Sequence, residues 1–285
     1  MIPDSKNSNP SPSSAILAIL SQKPRLPIKD LYEFFLKKYQ PGMSLQGFYK
    51  LTKHLVQERI LVKEGHLLSI DASWIHNLVN FTEILKKTYF SEESSKVNVI
   101  LEEGENKQFV FEKVNEMDNF WTHALILITQ YVQNQKDMDK DGYSYNEHCW
   151  FQLVKTSQEQ FLADVYQEKE MKLYMLCRSD SFLDSITPKL ISMKELHFAV
   201  DDKKSFPKNY YCMTIGDFII ETSLPNYIYE LIEKIYENTK DLSQFNMETI
   251  VSLINQPGRT TFIISRDKKR AEEFRKNISE HFKTH

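Results

Sequence analysis

The chain has few cysteines, and they do not cluster. Its 285 residues contain three, Cys149, Cys177 and Cys212, and no C-x-x-C pair. Zinc sites built on cysteine use closely spaced pairs, and widely spaced free cysteines are typical of reducing compartments. We therefore expect no metal site, and we expect a cytoplasmic protein.

Glycine and long apolar runs are scarce as well. Seven glycines leave no Gly-rich phosphate loop, and no G-x-S-x-G is present. The longest apolar runs, such as residues 124–128, are far too short to cross a membrane. The first residues are rich in Pro, Ser and Asn and lack the apolar core of a signal peptide. We expect no membrane partner, no cofactor, and a disordered lead-in over residues 1–12.

The composition is that of a globular protein with more than one domain. Hydrophobic residues make up 41% of the chain and charged residues 26%. That balance is sufficient for packed cores, and the length allows about two domains.

Residues 13–71 have the element order of a winged helix-turn-helix. A short helix capped by Ser13 or Ser14 precedes a second helix that starts at Ile28. Pro41 and Gly42 then stop that helix and turn the chain. Ser44 can cap a third helix, since its hydroxyl can accept a hydrogen bond from a free backbone N–H. Two short strands on either side of Gly65 predict the wing.

The third helix has one apolar and one polar face. Leu45, Phe48 and Leu55 recur at helical spacing with Leu51 or Thr52, which predicts that this face is buried. The opposite face carries glutamine and lysine, which can hydrogen-bond base edges and neutralise phosphates in the major groove. The predicted DNA-contacting residues are Ser44, Gln46, Tyr49, Lys50 and Lys53 on the helix and Lys63 on the wing.

Charge is distributed unevenly along the chain. Residues 21–66 contain nine Lys and Arg against four acids, a net charge of +5. The whole chain carries −3, which leaves −8 for the remainder. A basic head on an acidic body favours double-stranded DNA as the partner. Winged helices also bind proteins, so a non-enzymatic protein-interaction module is the alternative function.

Residues 72–96 are predicted to form a connecting helix. Trp74, Leu78, Phe81 and Leu85 repeat at intervals of four, three and four, the spacing of a coiled-coil seam. Such a helix can join two protomers of a homodimer on a two-fold DNA site. It can equally pack against the second domain of the same chain, and two heptads do not decide between these readings.

Residues 97–285 are predicted to form an α/β domain. The pattern predicts a hairpin of residues 97–101 and 107–111, then a helix from Asn115. Strands at 150–155, 172–177 and 196–200 alternate with helices, which indicates a parallel sheet. A second hairpin turns at Gly216, and the last elements are helices from Pro225 and 246, a strand at 260–265 and a helix capped by Asp267.

Three carboxylates in this domain occur at alternate positions. Asp137, Asp139 and Asp141 precede Gly142, as at the start of an EF-hand calcium loop. That loop requires an apolar eighth residue and a glutamate at position twelve, where this chain has Ser144 and His148. An exposed acidic turn is the preferred interpretation, and a looser cation site is left open.

Two further groups are candidates for chemistry. His148 precedes Cys149, but neighbouring residues of a strand point to opposite faces, so we expect only one of them in the core. Arg178, Asp180 and Asp184 follow a strand end, where α/β sheets place ligands. That cluster is expected to be a helix cap with salt bridges, and a small-molecule effector site is the alternative.

Residues 149–221 contain a Trp-bearing strand, a helix, YMLCRSDSFLD and then FPKNYYCMTIGDFIIE. With the preceding winged helix and connecting helix, this layout resembles the TrmB-like transcription regulators, whose C-terminal part is similar to the phospholipase-D fold. The resemblance implies DNA binding by the positions named above, dimers through the connecting helix, and a sensing or assembly domain. Phospholipase-D enzymes use H-x-K followed by four further residues and then Asp. The H-x-K present begins at His281, with no Asp after it, so we expect no catalytic residues.

The predicted protein is thus α+β overall: a winged helix-turn-helix (13–71), a connecting helix (72–96) and an α/β, phospholipase-D-like domain (97–285). The predicted function is a cytoplasmic, non-enzymatic transcriptional regulator that binds double-stranded DNA as a homodimer.

Overall fold

The structure is a computed structural model that describes residues 10–39, 42–90, 99–201 and 203–282, without the side chains of residues 89 and 90. Its class is α+β, as the sequence predicts. The chain divides into two compact units, Met1–Thr88 and Tyr89–His285. No helix in the described part of the chain is long and apolar enough to span a bilayer.

The described residues of the first unit form three short strands and four helices, the last of which ends two residues beyond the unit. They are α1 (Pro12–Gln22), β1 (Leu26–Pro27), α2 (Ile28–Lys38), α3 (Leu45–Gln57), β2 (Leu61–Glu64), β3 (Leu67–Ile70) and α4 (Ala72–Phe90). The strands form an antiparallel sheet in the order β1-β3-β2. This is the element order predicted for a winged helix and a connecting helix. Residues 1–9 of the predicted lead-in lie outside the described residues, and its last residue, Pro12, is already the first residue of α1. Residues 91–96 of the predicted connecting helix also lie outside the described residues.

The core of this unit fixes the orientation of α3. Phe48 is fully buried, and its ring lies 5.2 Å from that of Phe35 and 5.1 Å from that of Tyr32. Thr52 is buried too, as one of the two predicted alternatives. The prediction for Leu45 is wrong, since this residue is 44% exposed. Side chains tilt toward the start of a helix, so a residue in the first turn points beyond the packed part.

The second unit contains a seven-stranded sheet with helices. Its elements are β4 (Asn106–Phe111), α5 (Val114–Gln133), β5 (Gly142–Asn146), α6 (Trp150–Val154), α7 (Thr156–Glu168), β6 (Leu173–Cys177), α8 (Phe182–Ile186), β7 (Leu196–Val200), β8 (Tyr211–Ile215), β9 (Phe218–Ser223), α9 (Asn226–Asn238), α10 (Met247–Ile254), β10 (Thr260–Arg266) and α11 (Lys268–Ser279). The strand order is β4-β10-β9-β8-β5-β6-β7.

Three neighbouring strands of this sheet, β5, β6 and β7, are parallel, and the other pairings are antiparallel. The predicted parallel layout therefore holds for part of the sheet. The predicted strand at 150–155 is wrong: this segment is the helix α6, and the third parallel strand is β5. A short apolar run such as WFQLV has no periodicity that separates a strand from a buried helix turn.

The predicted hairpin of residues 97–101 and 107–111 is also wrong. β4 pairs instead with β10, so that Phe109 stands opposite Phe262. Residues 99–101 belong to no strand, and 97 and 98 lie outside the described residues. The hairpin at Gly216, in contrast, is confirmed by the antiparallel pairing of β8 and β9.

We predict that Gly216→Ala destabilises the second unit. Gly216 has a φ of +57°, and an added Cβ would lie 2.8 Å from Cγ2 of Val132. The left-handed backbone costs a non-glycine residue about 1 kcal/mol, and the clash adds roughly 1–3 kcal/mol.

Urea unfolding of the full chain measures this loss, and Gly104→Ala is the matched control. Gly104 lies in the same unit at a φ of +85°, but its added Cβ would meet nothing within 4 Å. If both variants lost the same free energy of unfolding, the close contact between Gly216 and Val132 would not be the cause of the extra destabilisation.

Candidate functional site

The outward face of α3 is exposed where the sequence predicts contacts with DNA. The side chains of Gln46, Tyr49, Lys50 and Lys53 are exposed on the face opposite Phe48. Because α3 rises 1.5 Å per residue with 3.6 residues per turn, these side chains lie along two turns of a single face. They form a polar strip of the length that a recognition helix presents.

The cap and the wing complete this surface. Ser44 is exposed, and its Oγ accepts a hydrogen bond from the Gly47 N–H at 3.1 Å, as predicted for an N-cap. Lys63 lies exposed on β2. The neighbouring acid of the wing, Glu64, forms an ion pair with Arg25. This surface ion pair offsets the charge of Glu64, which lies next to Lys63 on β2.

Among the described residues, Lys50, Lys53 and Lys63 form no ion pair. His54 on α3 does lie near an acid, with its Nε2 3.5 Å from Oε1 of Glu58. A lysine that is exposed and unpaired keeps its full charge available to an external anion. The three lysines that the sequence assigns to DNA are thus available for phosphate contact.

In the second unit, polar residues gather after the carboxyl ends of two parallel strands. His148 follows β5 and is buried between two carboxylates. Its Nδ1 lies 2.7 Å from Oδ2 of Asp184, and its Nε2 lies 2.5 Å from Oε1 of Glu233. Desolvation lowers the pKa of His148, but the hydrogen bonds to the two carboxylates outweigh it and raise this pKa to about 9. The imidazole therefore keeps its second proton at neutral pH and is unsuited to act as a general base there.

Asp184 is the most heavily bonded member of this cluster. Its Oδ2 also accepts hydrogen bonds from the hydroxyls of Ser179, at 2.9 Å, and Ser181, at 2.7 Å. Its Oδ1 accepts one from the N–H of Cys149 at 2.9 Å. The expected helix cap is present, because Ser181 Oγ accepts from the N–H of Asp184. Asp180, which the sequence groups with Arg178 and Asp184, is instead exposed.

Arg178 pairs with a different acid. Its Nε lies 3.2 Å from Oε1 of Glu147, whose Oε2 accepts a hydrogen bond from the N–H of Asn209. Burial raises the pKa of Glu147, while Arg178 opposes that shift. The hydroxyl of Tyr229 lies 3.4 Å from Glu147 and 3.3 Å from Glu233, so it joins the two ion pairs. Each buried charge here has a partner of opposite sign.

The sequence-based view of His148 and Cys149 is wrong, because both residues are buried. They lie at the start of α6 instead of in a strand, so they do not alternate between faces. Cys149 Sγ is 4.0 Å from Cys177 Sγ, and together with Asp184 these residues are close enough to hold a metal ion. Asp184 already accepts four hydrogen bonds, and burial raises the pKa of Cys177. The set therefore fits a hydrogen-bonded core better than a metal site.

The acidic loop before β5 uses its carboxylates within the fold. Asp139 lies 3.5 Å from Nε of Arg275, and its Oδ1 accepts from the N–H of Asp141. Asp141 Oδ1 accepts from the N–H of Lys172 at 2.9 Å. Asp137 is exposed. These contacts fit the acidic turn that the sequence favours over a calcium loop.

Sequence reasoning missed the bridge between His148 and Glu233. The two residues are 85 positions apart, and no local pattern connects them. One local signal points to this site: the charged pair Glu147-His148 directly follows GYSYN, the segment that forms β5. The sequence analysis does not predict a strand there. The Nε2 of the H-x-K histidine, His281, lies 3.8 Å from Oδ1 of Asp201.

No protein-family model matches the chain, and no curated protein matches its sequence. Among solved structures it is similar to TrmBL2, an archaeal chromatin protein whose structure shows a novel mode of DNA binding. That likeness has 8% identity and a TM-score of 0.33, and it covers 95% of this chain and 92% of the other. NucT from Helicobacter pylori has 7% identity and a TM-score of 0.35, over 63% of this chain and 98% of its own. At such TM-scores neither likeness carries an argument about what this chain does.

We predict that His148 makes the stability of the second unit depend on pH. Its folded pKa of about 9 exceeds the ordinary value of 6.5. The stabilising effect is therefore complete below pH 6.5 and is lost as the pH rises through 9. The shift corresponds to about 3 kcal/mol.

Urea unfolding of the wild type and His148→Gln at pH 6.5 and 9.5 tests this. The difference in free energy of unfolding between the two proteins should be smaller at the higher pH. The control His123→Gln, at an exposed position of the same unit, should differ from the wild type equally at both pH values. A gap that stays constant with pH would contradict the charged state assigned to His148.

Proposed function

We propose that this chain is a cytoplasmic, TrmB-like transcriptional regulator that binds double-stranded DNA with α3 in the major groove. The observation that carries the proposal is the exposed, unpaired state of Lys50 and Lys53 beside Gln46. These side chains share the face of α3 opposite the buried Phe48. Glutamine can pair with adenine edges, and lysine with guanine edges or phosphates.

The remaining predicted residues fit supporting roles on this surface. Tyr49 is exposed beside Lys50 and offers a hydroxyl to a phosphate or base edge. Ser44 sits at the start of α3, where free backbone N–H groups favour a phosphate. Lys63 projects from the wing toward the backbone of the duplex. The net charge of +5 over residues 21–66 supports the same partner.

We further propose that α4 joins two copies of the chain. Its apolar residues Val79, Phe81, Ile84 and Leu85 are exposed, with Ile84 at 62% and Phe81 at 53%. Phe81, Ile84 and Leu85 are three and four positions apart and therefore share one face of the helix, and an exposed apolar face is typical of an interaction surface. A second copy is the partner that fits a two-fold DNA site.

The second unit is proposed to sense or assemble without breaking bonds. The buried charges after β5 and β6 are paired with one another, and His148 keeps its proton at neutral pH. A sensing role requires a ligand site instead of a reactive group.

The second candidate function is a protein-interaction module, and one observation favours it. Leu45 and Tyr49 are 44% and 38% exposed on or beside the outward face of α3. Apolar and aromatic side chains of this kind are frequent at protein interfaces. Salt dependence separates the two functions, because phosphate contacts weaken steeply with salt.

We predict that Lys50→Glu with Lys53→Glu abolishes DNA binding by the full chain while thermal unfolding stays unchanged. Both side chains are exposed and unpaired, so the fold does not need their charge. For the wild type, log affinity should fall with log salt with a slope of about −0.9 per phosphate contacted, measured by fluorescence anisotropy.

The matched control is Lys269→Glu with Lys276→Glu, which changes the net charge by the same amount at two exposed positions of α11. It should keep most of the affinity. If both double variants weakened binding equally, the interaction would be a general charge effect and not contact through α3.

We predict that Phe81→Asp with Leu85→Asp makes the protein monomeric in sedimentation velocity, because charges would replace the exposed apolar side chains of α4. Lys86→Glu changes the net charge by the same amount at an exposed position on the opposite side of the helix, and it should leave the dimer intact. A wild type that sediments as a monomer at tens of micromolar would contradict the proposed dimer.

A further inference from the structure

The strand β7 lies at one edge of the seven-stranded sheet and pairs with β6 on its inner side. The carbonyl of Glu195, directly before β7, accepts a hydrogen bond from the N–H of Leu173 at the start of β6. Since backbone groups alternate between the two sides of a strand, the even-numbered residues of β7 point their N–H and C=O groups away from the sheet. Those groups of Leu196, Phe198 and Val200 have no hydrogen-bond partner among the described residues.

The composition of β7 does not protect this edge. Proteins usually protect the edge of a sheet with lysines, prolines or bulges. The strand at the other edge, β4, carries Asn106, Lys107 and Gln108. In contrast, β7 reads LHFAV and has neither lysine nor proline, and its register with β6 is continuous. Its backbone is therefore suited to pair with a further strand.

Three aromatic side chains form a ladder that leads to this edge. Tyr143, Tyr174 and His197 occupy matching positions of β5, β6 and β7. The ring centroid of Tyr174 lies 4.9 Å from that of Tyr143 and 4.7 Å from that of His197, with angles of 12° and 14° between the ring planes. The side chain of His197 is 41% exposed, and among the described residues its ring stacks on Tyr174 alone. A further strand extends the ladder if it places a ring opposite His197.

We propose that β7 pairs antiparallel with β7 of a second copy of the chain, about a two-fold axis at His197. In this register Leu196 exchanges both of its outward hydrogen bonds with the partner's Phe198, and Phe198 does the same with the partner's Leu196. His197 then stands opposite the partner's His197, at a position where the two Cα atoms are about 4.5 Å apart and side chains come closest. The two imidazoles stack, and the three rings of each copy join in one ladder.

An identical strand matches this edge on both faces of the sheet. Leu196 and Phe198 both pack on the larger apolar core, so each meets an apolar side chain of the other copy. On the opposite face, the 41% exposed Glu195 lies diagonally across from the partner's His197, which places an acid beside the paired imidazoles. Asp201 adds no repulsion to that face, because it is fully buried and accepts hydrogen bonds from Ser205.

The pairing is weak on its own and acts between copies at high local concentration. Five residues a side are far fewer than the roughly 20–30 residues a side of a stable interface. It therefore adds to the contact through α4, which belongs to the first unit, and does not replace it. The strand lies in the second unit, so the pairing does not rest on DNA binding.

Disulfide trapping of the full chain at high protein concentration tests the pairing and its register. In the proposed pair, position 195 stands opposite position 199 of the partner, whereas two copies of the same position lie roughly 13 Å apart along the strands. A disulfide requires Cα atoms within about 7 Å, so a mixture of Glu195→Cys and Ala199→Cys chains should form a mixed dimer at least about fivefold faster than either variant alone forms its own. Glutathione disulfide is the oxidant, and a small tag on one chain distinguishes the products by mass.

The three natural cysteines are buried and should not contribute to the cross-link. Absence of the mixed dimer, or a mixed dimer that forms no faster than the single-variant dimers, would overturn the proposal.

A matched pair of variants tests the role of the backbone. Leu196→Pro, placed in both cysteine chains, removes an outward N–H that makes no bond to β6, and proline is accommodated at the first residue of a strand. It should slow the mixed cross-link at least about fivefold relative to Leu196→Ala, which loses the same side-chain packing but keeps the N–H. Thermal unfolding followed by circular dichroism establishes that both variants fold. Equal cross-linking rates in the two folded variants would refute pairing through the strand edge, and the register test decides the question even if the proline variant does not fold.

Discussion

The burial of Phe48 against Phe35 and Tyr32 is the interaction on which the account of the first unit depends. It fixes the rotation of α3 about its own axis, and so it determines which side chains face outward. A fully buried aromatic side chain contributes about 2–3 kcal/mol of hydrophobic stabilisation, more than an exposed lysine can contribute or oppose. The outward face is therefore free to carry charge for a partner at little cost to the fold.

The second unit treats buried polarity in two ways. Around His148 each charge has its partner, with Asp184 and Glu233 on the imidazole and Arg178 on Glu147. Elsewhere in the described part of this unit, some buried polar atoms, such as Gln152 Oε1, have no hydrogen-bond partner. A paired network holds elements together, whereas each unpaired buried group lowers the stability of the fold.

The sequence was most informative where the determining signals are local. Helix periodicity, the cap at Ser44 and the turn at Gly216 lie within a few residues of the elements they specify. The pairing of β4 with β10 and the bridge from His148 to Glu233 were not predicted, because their partners are remote in the chain. Composition alone cannot distinguish GYSYN, which is a strand, from WFQLV, which is a helix turn, since both are short and largely buried. The exposed face of α3 is predictable from sequence because amphipathicity is a local property. The exposure of Leu45 is not predictable in this way, because it depends on where the core ends.

Selection of bound sequences from a pool of random double-stranded DNA tests the central claim most directly. If α3 reads the major groove and two copies act together, the selected pool should converge on a two-fold symmetric site whose halves are about one helical turn apart. A pool that shows no enrichment over the input after repeated rounds would contradict the claim that the basic face of α3 reads DNA.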